Sequence, residues 1–120
     1  MKLPLSIIIP TFNEERSLPM LLTSIQRQSA SPKEIIVADA FSIDNTRRIA
    51  KIFGCKIVSG GLPAKARNNG ARQAKEEVLL FLDADVTLPP LFLEQTIAEM
   101  TRKNLDITSC FVSPRSSLKL

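Results

Sequence analysis

Two aspartates, one residue apart, follow directly on an apolar run. Residues 78–82 read Val-Leu-Leu-Phe-Leu, and Asp83 and Asp85 come next with only Ala84 between them. In an extended segment the period of two would point both carboxylates to one side, with Ala84 opposite. Mg²⁺ and Mn²⁺ prefer oxygen ligands and commonly take one or two carboxylates, the rest being water and phosphate oxygens. The pair is therefore a candidate metal site; the alternative is a pair of turn-forming or helix-capping aspartates.

Polar residues also follow the first two apolar runs of the chain. Thr11, Phe12, Asn13 and Glu14 come after the first run, and Asp39 comes after the second. The carboxylate of Asp39 either turns its own loop or accepts a hydrogen bond from a nucleobase N–H. Phe12 either stacks on a ring or closes the core. Asn13 and Glu14 either open the next helix or, with the backbone from Pro10 onward, line a base or a ribose.

One arginine stands out from the scattered basic residues. Arg67 lies early in a predicted helix, beside the loop that contains Gly60 and Gly61. Its guanidinium group matches the oxygens of a diphosphate, because the planar fork donates two parallel hydrogen bonds. The neighbouring cations are interpreted as a solvated helix face; they are Lys65, Arg72 and Lys75.

Apolar runs alternate with helical patterns along the chain. The strand-like runs are residues 5–9 (ended by Pro10), 34–38, 55–58, 78–82 and 107–112. The helices are predicted after Ser17, after Asp44 and up to Gly54, from Pro63 to Lys75, and from Pro89-Pro90 to about Met100. This alternation predicts a doubly wound α/β fold with a mainly parallel sheet, in one domain over residues 1–120. Ligands of such sheets bind beyond the carboxyl ends of the strands, so the polar clusters should share one cleft.

The composition excludes several kinds of chemistry. The chain has no histidine, which removes Ser-His-Asp, Cys-His and His-metal sites. Cys55 and Cys110 have no neighbours at zinc-ligand spacing, so free thiols in a reducing compartment are expected. Residues 1–4 lead directly into a strand-like run, so we expect no signal peptide, and the apolar stretches are too short to cross a bilayer. We expect a cytoplasmic protein that contacts membranes only through sequence outside these 120 residues.

The charge of the chain permits an anionic partner of modest size. The formal net charge is +4, but the basic residues form no concentrated stripe with interleaved aromatics, as a nucleic-acid reader usually does. We expect a small anionic ligand and no nucleic acid.

Four blocks of the sequence together resemble one known family. They are Ser6 to Glu15 (SIIIPTFNEE), Ala38 to Thr46 (ADAFSIDNT), Ala66 to Gly70 (ARNNG) and Phe81 to Asp85 (FLDAD). In order and spacing, across roughly residues 5–112, they resemble the nucleotide-sugar-binding half of family 2 glycosyltransferases. The resemblance implies a GT-A fold, a Mg²⁺ or Mn²⁺ ion, and a nucleotide-diphosphate sugar donor, with a UDP- or GDP-sugar expected.

The resemblance also implies roles for single residues. It assigns the donor base and ribose to Pro10, Thr11, Phe12, Asn13, Glu14 and Asp39. Arg67 would lie near the base or diphosphate. Asp83 would meet the ribose or the metal, Ala84 would belong to the donor site, and Asp85 would bind the metal.

This chain departs from the family's pattern in the second block, which usually has a paired acid and a glycine where Ala40 and Phe41 stand. In inverting members the acceptor site and the general base belong to a C-terminal half, so we expect the base beyond Leu120. The alternatives are a module that binds a nucleotide sugar without transferring it and, less favoured, a sugar nucleotidyltransferase. The last would need a glycine-rich loop in place of Thr11 to Glu14.

Overall fold

The structure is a computed structural model that describes residues 1–106. Its strands are β1 (Lys2–Thr11), β2 (Ser31–Asp39), β3 (Lys56–Ser59) and β4 (Val78–Phe81). Its helices are α1 (Leu18–Gln26), α2 (Thr46–Ile52), α3 (Pro63–Gln73) and α4 (Phe92–Lys103). Strands and helices alternate as predicted, while the strand predicted at residues 107–112 lies outside the described residues. Within residues 1–106 no helix combines the length and the apolar character needed to cross a bilayer.

The four strands form one parallel sheet in the order β3-β2-β1-β4. The chain moves outward from β1 through β2 to β3, and then crosses back to add β4 on the other side of β1. The strand order therefore reverses between β1 and β4, which brings the loops at their carboxyl ends together. The predicted α/β fold with a mainly parallel sheet is confirmed.

Pro10 lies inside β1, although the sequence predicted that it would end this strand. The carbonyl of Ile8 accepts the N–H of Leu82 at 3.0 Å on the β4 side. Pro10, two residues further on, faces the same side but lies past the last paired residue of β4. Its missing N–H therefore removes no ladder bond, and Thr11 still pairs with Asp39 on the β2 side.

Helices cover both faces of the sheet, so β1 is buried on each side. Ile7, Ile8 and Ile9 have no exposed surface. Ile7 and Ile9 belong to the main apolar core, together with the buried face of α1: Leu18, Leu21, Leu22 and Ile25. Ile8 faces α3, where a Cβ placed on Gly70 would come within 2.5 Å of Ile8 Cγ2. The alternation of these isoleucines is the period of two that a buried strand requires.

The C-terminal end of α2 is closed as the sequence predicted, whereas its N-cap is Asn45 and not the predicted Asp44. Oδ1 of Asp44 accepts the backbone N–H of Thr46 at 2.9 Å, which satisfies a donor of the first turn. Gly54 has a left-handed backbone with φ +79°. The next N–H, of Cys55, donates to the carbonyl of Ala50 at 2.9 Å. This is the Schellman arrangement that a glycine after a helix favours.

The start of α1 differs from its prediction. Ser17 precedes the helix, but its hydroxyl donates to Oε2 of Glu14 at 2.8 Å instead of capping the first turn. The carbonyl of Glu14 accepts the N–H of Leu18 at 2.9 Å. Glu14 therefore organises the entry into α1.

The last two helices also have shifted ends. The third helix ends at Gln73, two residues before the predicted Lys75. The fourth begins at Phe92 and not at the proline pair, because Leu91 has a left-handed backbone with φ +65° that interrupts the helix. It ends at Lys103.

Candidate functional site

A cleft of about 590 Å³ opens at the carboxyl edge of the sheet, above the point where the strand order reverses. Its walls come from the loops after all four strands. The lining residues are Pro10, Thr11, Phe12, Glu14, Ala40, Gly61, Leu62, Pro63, Arg67, Asp83, Ala84 and Asp85. Every residue predicted for the site lines this cleft except Asn13 and Asp39.

Asp83 and Asp85 project from a turn at the end of β4. The segment does not stay extended, because the N–H of Val86 donates to the carbonyl of Asp83 at 3.4 Å and closes a turn around Ala84. Both aspartates are exposed, whereas Ala84 is buried. Both carboxylates line the cleft, which is the outcome expected for an extended strand. In the structure a turn produces it instead. We call Asp83 and Asp85 the acidic turn.

The acidic turn fits a metal ion that keeps part of its own coordination shell. Within residues 1–106 no group of three or more His, Cys, Asp or Glu side chains is arranged to hold a metal. Two carboxylates are enough for Mg²⁺ or Mn²⁺, because water and phosphate oxygens can supply the remaining ligands of the octahedral shell. The residues present therefore fit a hard divalent cation that binds together with a phosphate-bearing ligand.

Arg67 reaches the acidic turn from α3. Its Nη2 lies 3.5 Å from Oδ1 of Asp83, and the two side chains are 42% and 68% exposed. The helix can lie this close to β1 because Gly70 has no side chain where it meets Ile8, and the buried Ala66, one turn earlier on the same face, carries only a methyl group. A guanidinium group and two carboxylates consequently share one side of the cleft.

The loop after β3 supplies cleft residues that the sequence did not assign to the site. These are Gly61 and Leu62, followed by Pro63, the first residue of α3. The loop must pass close to β2, since a Cβ on Gly60 would lie 2.6 Å from the carbonyl oxygen of Ala38. The visible signal was the glycine pair followed by a proline, which marks a tight approach and a helix start. Ala40, from the loop after β2, was also missed.

Asp39 lies beneath the cleft and not in its wall. Its side chain is 1% exposed. Oδ1 accepts hydrogen bonds from the hydroxyls of Thr11 at 2.7 Å and Ser42 at 2.6 Å. Oδ2 accepts the N–H of Ser42 at 2.9 Å and lies 3.6 Å from Nε of Arg47. In this arrangement Asp39 meets the cleft through Thr11, whose position it holds.

Asn13 joins the same two loops on the solvent side. Its N–H donates to Oγ of Ser42 at 2.8 Å, and its Oδ1 accepts the N–H of Ile43 at 2.9 Å. The N–H of Glu14 donates to Oγ1 of Thr46 at 2.8 Å. With the Thr11–Asp39 bond, these contacts form what we call the loop clasp, which fixes the loop after β1 against the loop after β2.

Asp44 extends the loop clasp at its outer end. Burial by itself raises the pKa of this carboxyl, but hydrogen bonds from the hydroxyl and N–H of Thr46 and from the N–H of Glu15 outweigh burial. The net effect is a pKa below the ordinary value for aspartate. The charged form is the one these donors hold.

Phe41 occupies the turn of the clasped loop with a left-handed backbone, φ +53°, and its side chain is 75% exposed. A non-glycine residue in this region costs about 1 kcal/mol or more, whereas glycine adopts it freely. The backbone explains why a glycine is usual at this place in the pattern that the sequence resembles. Here the clasp imposes the conformation on a phenylalanine, because the next two residues are both hydrogen-bonded.

A second cavity, of about 480 Å³, lies between α1 and residues 87–90. Among the lining residues within positions 1–106, Arg27 is the one charged side chain and none is a carboxylate. The groups that could do chemistry are therefore in the first cleft.

A sequence profile for the family described as Glycosyl transferase family 2 matches residues 6–117 of this chain. The match includes every loop that lines the cleft. The chain belongs to glycosyl transferase family 2. The resemblance seen in the four sequence blocks is thereby confirmed.

Curated relatives of this family 2 chain are named glycosyltransferases. Validoxylamine A glucosyltransferase of Streptomyces hygroscopicus subsp. limoneus is 33% identical over 104 residues, covering 78% of this chain and 23% of the relative. Poly(ribitol-phosphate) beta-N-acetylglucosaminyltransferase TarS of Staphylococcus aureus is 31% identical over 113 residues, covering 85% and 20%. The chain thus spans about a fifth to a quarter of the length of these relatives.

Solved structures share the fold. The crystal structure of S. aureus TarS 1-349 in complex with UDP matches with a TM-score of 0.74 and 31% identity, covering 87% of this chain and 33% of that one. Glucosyl-3-phosphoglycerate synthase from Mycobacterium tuberculosis, solved with Mn²⁺, UDP and glucosyl-3-phosphoglycerate, matches with a TM-score of 0.66 and 22% identity, covering 81% and 39%. The predicted GT-A architecture is confirmed by these likenesses.

Proposed function

We propose that this chain binds a nucleotide-diphosphate sugar together with Mg²⁺ or Mn²⁺, as the donor-binding part of a glycosyltransferase. The observation that carries the proposal is the meeting of Asp83, Asp85 and Arg67 in one cleft at the point where the strand order reverses. The relative TarS is 31% identical to this chain, and its structure was solved in complex with UDP. This likeness favours a UDP-sugar over a GDP-sugar as the donor.

The diphosphate end of the donor belongs at the acidic turn. Asp83 and Asp85 supply oxygen ligands for the divalent cation, which when bound would neutralise the charge that develops on the leaving diphosphate. Arg67 binds the diphosphate oxygens through its guanidinium fork. Its present partner is Asp83, and that exposed ion pair is worth under about 1 kcal/mol, so the arginine can turn to the donor at little cost.

The nucleoside end belongs beside the loop after β1. Phe12 is 62% exposed and offers a ring face to the base. Pro10, Thr11 and Glu14 supply backbone and polar groups along the same wall. Asp39 and Asn13 act on the nucleoside through the loop clasp, because they hold Thr11 and the neighbouring loop in place.

The acceptor and its general base belong to other parts of the enzyme. The chain contains no histidine, and the acidic turn is already assigned to the metal. The carboxylate of Glu14 accepts the hydroxyl of Ser17. A base outside the described residues is therefore part of the proposal. The competing function is a module that binds the donor without transferring the sugar, as the same cleft would allow.

Calorimetric titration tests the donor site directly. UDP should bind to the 120-residue chain in the presence of Mn²⁺ and at least about tenfold more weakly without it, since two carboxylates repel an uncompensated diphosphate. Asp85→Asn should abolish the dependence on Mn²⁺. Glu99→Gln also removes one negative charge, but in the exposed ion pair on α4, and it should leave UDP binding unchanged.

Two results would oppose the proposal: metal-independent binding by the wild-type chain, or full Mn²⁺ dependence in Asp85→Asn. Hydrolysis and transfer of UDP-sugars then separate the two candidate functions. Release of UDP from a UDP-sugar, lost in Asp85→Asn, supports the transferase. Donor binding without any release supports the module.

A further inference from the structure

Two neighbouring loops at the carboxyl edge of the sheet carry large apolar side chains that face solvent. Phe41 and Ile43, in the loop after β2, are 75% and 93% exposed. Leu62, in the loop after β3, is 82% exposed. Side chains of this size gain free energy when they leave water, so a group of them marks a contact surface. We call Phe41, Ile43 and Leu62 the apolar rim.

Two of the three side chains of the apolar rim lie outside the cleft that contains the acidic turn. Strands β3 and β2 are neighbours at one end of the sheet, whereas the acidic turn follows β4 at the other end. Leu62 lines the cleft, but Phe41 and Ile43 lie outside it. A surface that rests on the apolar rim would therefore leave the metal side of the cleft open.

The chain keeps Phe41 in this exposed position at a conformational cost. Its left-handed φ of +53° would suit glycine better. The N–H groups of Ser42 and Ile43, which donate to Asp39 and Asn13, leave the backbone no alternative. The hydrogen bonds around Phe41 hold a strained backbone, and its side chain is mostly exposed. This combination indicates that the ring serves a function other than packing in the fold.

Exposed basic residues follow the two loops of the apolar rim in the sequence. Arg48 lies in the first turn of α2, directly after the loop with Phe41, and Lys65 lies in the first turn of α3, directly after Leu62. Both are exposed. Asp44 lies next to Ile43 in the sequence and keeps its negative charge, which the N–H groups of Thr46 and Glu15 stabilise. The two exposed cations outnumber this carboxylate, and a surface that combines apolar tips with an excess of positive charge complements anionic headgroups above an acyl phase.

We propose that the apolar rim inserts into the headgroup–acyl boundary of an anionic lipid bilayer, with Arg48 and Lys65 on the headgroups. This contact arises from the described chain itself, in addition to any contact made through other sequence. A protein partner is less favoured, because three protruding side chains on two loops are far fewer than the roughly 20–30 residues per side of a stable protein interface.

Vesicle sedimentation tests this proposal without any nucleotide, so its outcome is independent of the donor site. The 120-residue chain is mixed with vesicles of phosphatidylcholine, either pure or containing roughly one third phosphatidylglycerol. We expect sedimentation with the anionic vesicles that falls as salt is added. The double variant Phe41→Gly/Ile43→Ser should lower the partition coefficient by about tenfold or more.

The controls separate membrane contact from a change in the fold. Ile52→Ser removes an apolar side chain that is 74% exposed at the far end of α2, on the opposite edge of the sheet, and should change partitioning less than about twofold. Phe41→Gly relieves a left-handed phenylalanine, so its urea midpoint should equal or exceed that of the wild type. Arg48→Gln/Lys65→Gln should weaken binding to the anionic vesicles only.

Unchanged partitioning in the double variant would overturn the proposal, as would an equal loss in Ile52→Ser. Sedimentation velocity supplies a further check on the nature of the partner. A dimer that forms in the wild type and is lost in Phe41→Gly/Ile43→Ser would assign the rim to a second copy of the chain and also overturn the membrane contact.

Discussion

The hydroxyl of Thr11 donates to Oδ1 of Asp39 at 2.7 Å, and both side chains are buried. This bond joins the carboxyl ends of the two central strands, β1 and β2, directly beneath the cleft. Thr11 lines the cleft, and Asp39 anchors the loop after β2 through Ser42. The geometry of the proposed nucleoside site therefore depends on a contact that the ligand itself need not touch.

Replacing Thr11 by valine should lower the free energy of unfolding by about 1–3 kcal/mol, because the buried carboxylate of Asp39 loses one of its donors while the shape is kept. Urea unfolding measures the change. Thr101→Val, on the exposed surface of α4, should shift the free energy by less than about 0.5 kcal/mol. Equal stability of the two variants would contradict a structural role for the Thr11–Asp39 bond.

Gly70→Ala should destabilise the protein by about 1–3 kcal/mol, since the added Cβ would come within 2.5 Å of Ile8 Cγ2 and push α3 off the sheet. This penalty exceeds the gain of roughly 1 kcal/mol that alanine brings to a helix. The melting temperature and the affinity for UDP should fall together, because α3 carries Arg67. Arg72→Ala, exposed on the same helix, serves as the control, and a more stable Gly70→Ala protein would show that the contact is not tight.

Arg67→Lys should weaken UDP binding by roughly tenfold while leaving the urea midpoint unchanged. The lysine keeps the charge but cannot make the paired hydrogen bonds of a guanidinium fork. The ion pair with Asp83 is exposed and contributes little to stability. Titration calorimetry gives the affinity, with Arg72→Lys as the matched change on the same helix. Wild-type affinity in Arg67→Lys would remove this arginine from the donor site.

Glu34 should make stability fall in acid. Burial by itself raises the pKa of this carboxyl, but the N–H of Lys75 and the hydroxyl of Ser6 donate to it and bring the pKa below its ordinary value of 4.5. Because the folded pKa lies below the unfolded one, this contribution is fully present above about pH 4.5 and is lost as the pH falls through the folded value.

Unfolding free energies measured between neutral pH and acid should therefore fall less steeply in Glu34→Gln than in the wild type. Glu77→Gln, which changes an exposed carboxyl two residues after Lys75, should retain the wild-type slope. If the unfolding free energy of Glu34→Gln depended on pH as steeply as that of the wild type, the hydrogen bonds to Glu34 would not be coupled to folding.

Cys55 should resist thiol reagents in the native protein. Burial raises the pKa of its thiol from 9.0 to about 11, so the thiolate is about 100-fold scarcer near neutral pH than in an ordinary cysteine. The Cys110→Ser variant leaves Cys55 as the only thiol. Its reaction with a disulfide reagent at pH 8 should be slow in buffer and rapid in concentrated urea. Equal rates in both would show that Cys55 is open to solvent in the folded chain.

Local patterns were sufficient for much of the fold. The buried isoleucines of β1, the glycine after α2 and the proline that opens α3 each reflect a preference that operates within a few residues. The boundaries that failed depend on longer contacts. Pro10 continues its strand because β4 is short, and the prolines before α4 do not open it because Leu91 takes a left-handed backbone.

The candidate site was predictable in part for the same reason. Asp83, Asp85 and Arg67 could be selected because each follows a strand or opens a helix, and parallel strands bring such ends to one edge. The places of Asp39 and Asn13 in the loop clasp could not be predicted, because each forms a hydrogen bond with a residue about 30 positions away in the sequence.

The sequence by itself determined the alternation of strands and helices, the family and the residue types that can hold a metal and a diphosphate. Only the tertiary structure decided which of these residues reach the cleft, which lie beneath it, and that Phe41, Ile43 and Leu62 stand in solvent beside it. Periodicity specifies which face of an element is apolar. Exposure at a loop tip, in contrast, is set by how neighbouring loops hold one another, which is a property of the assembled fold.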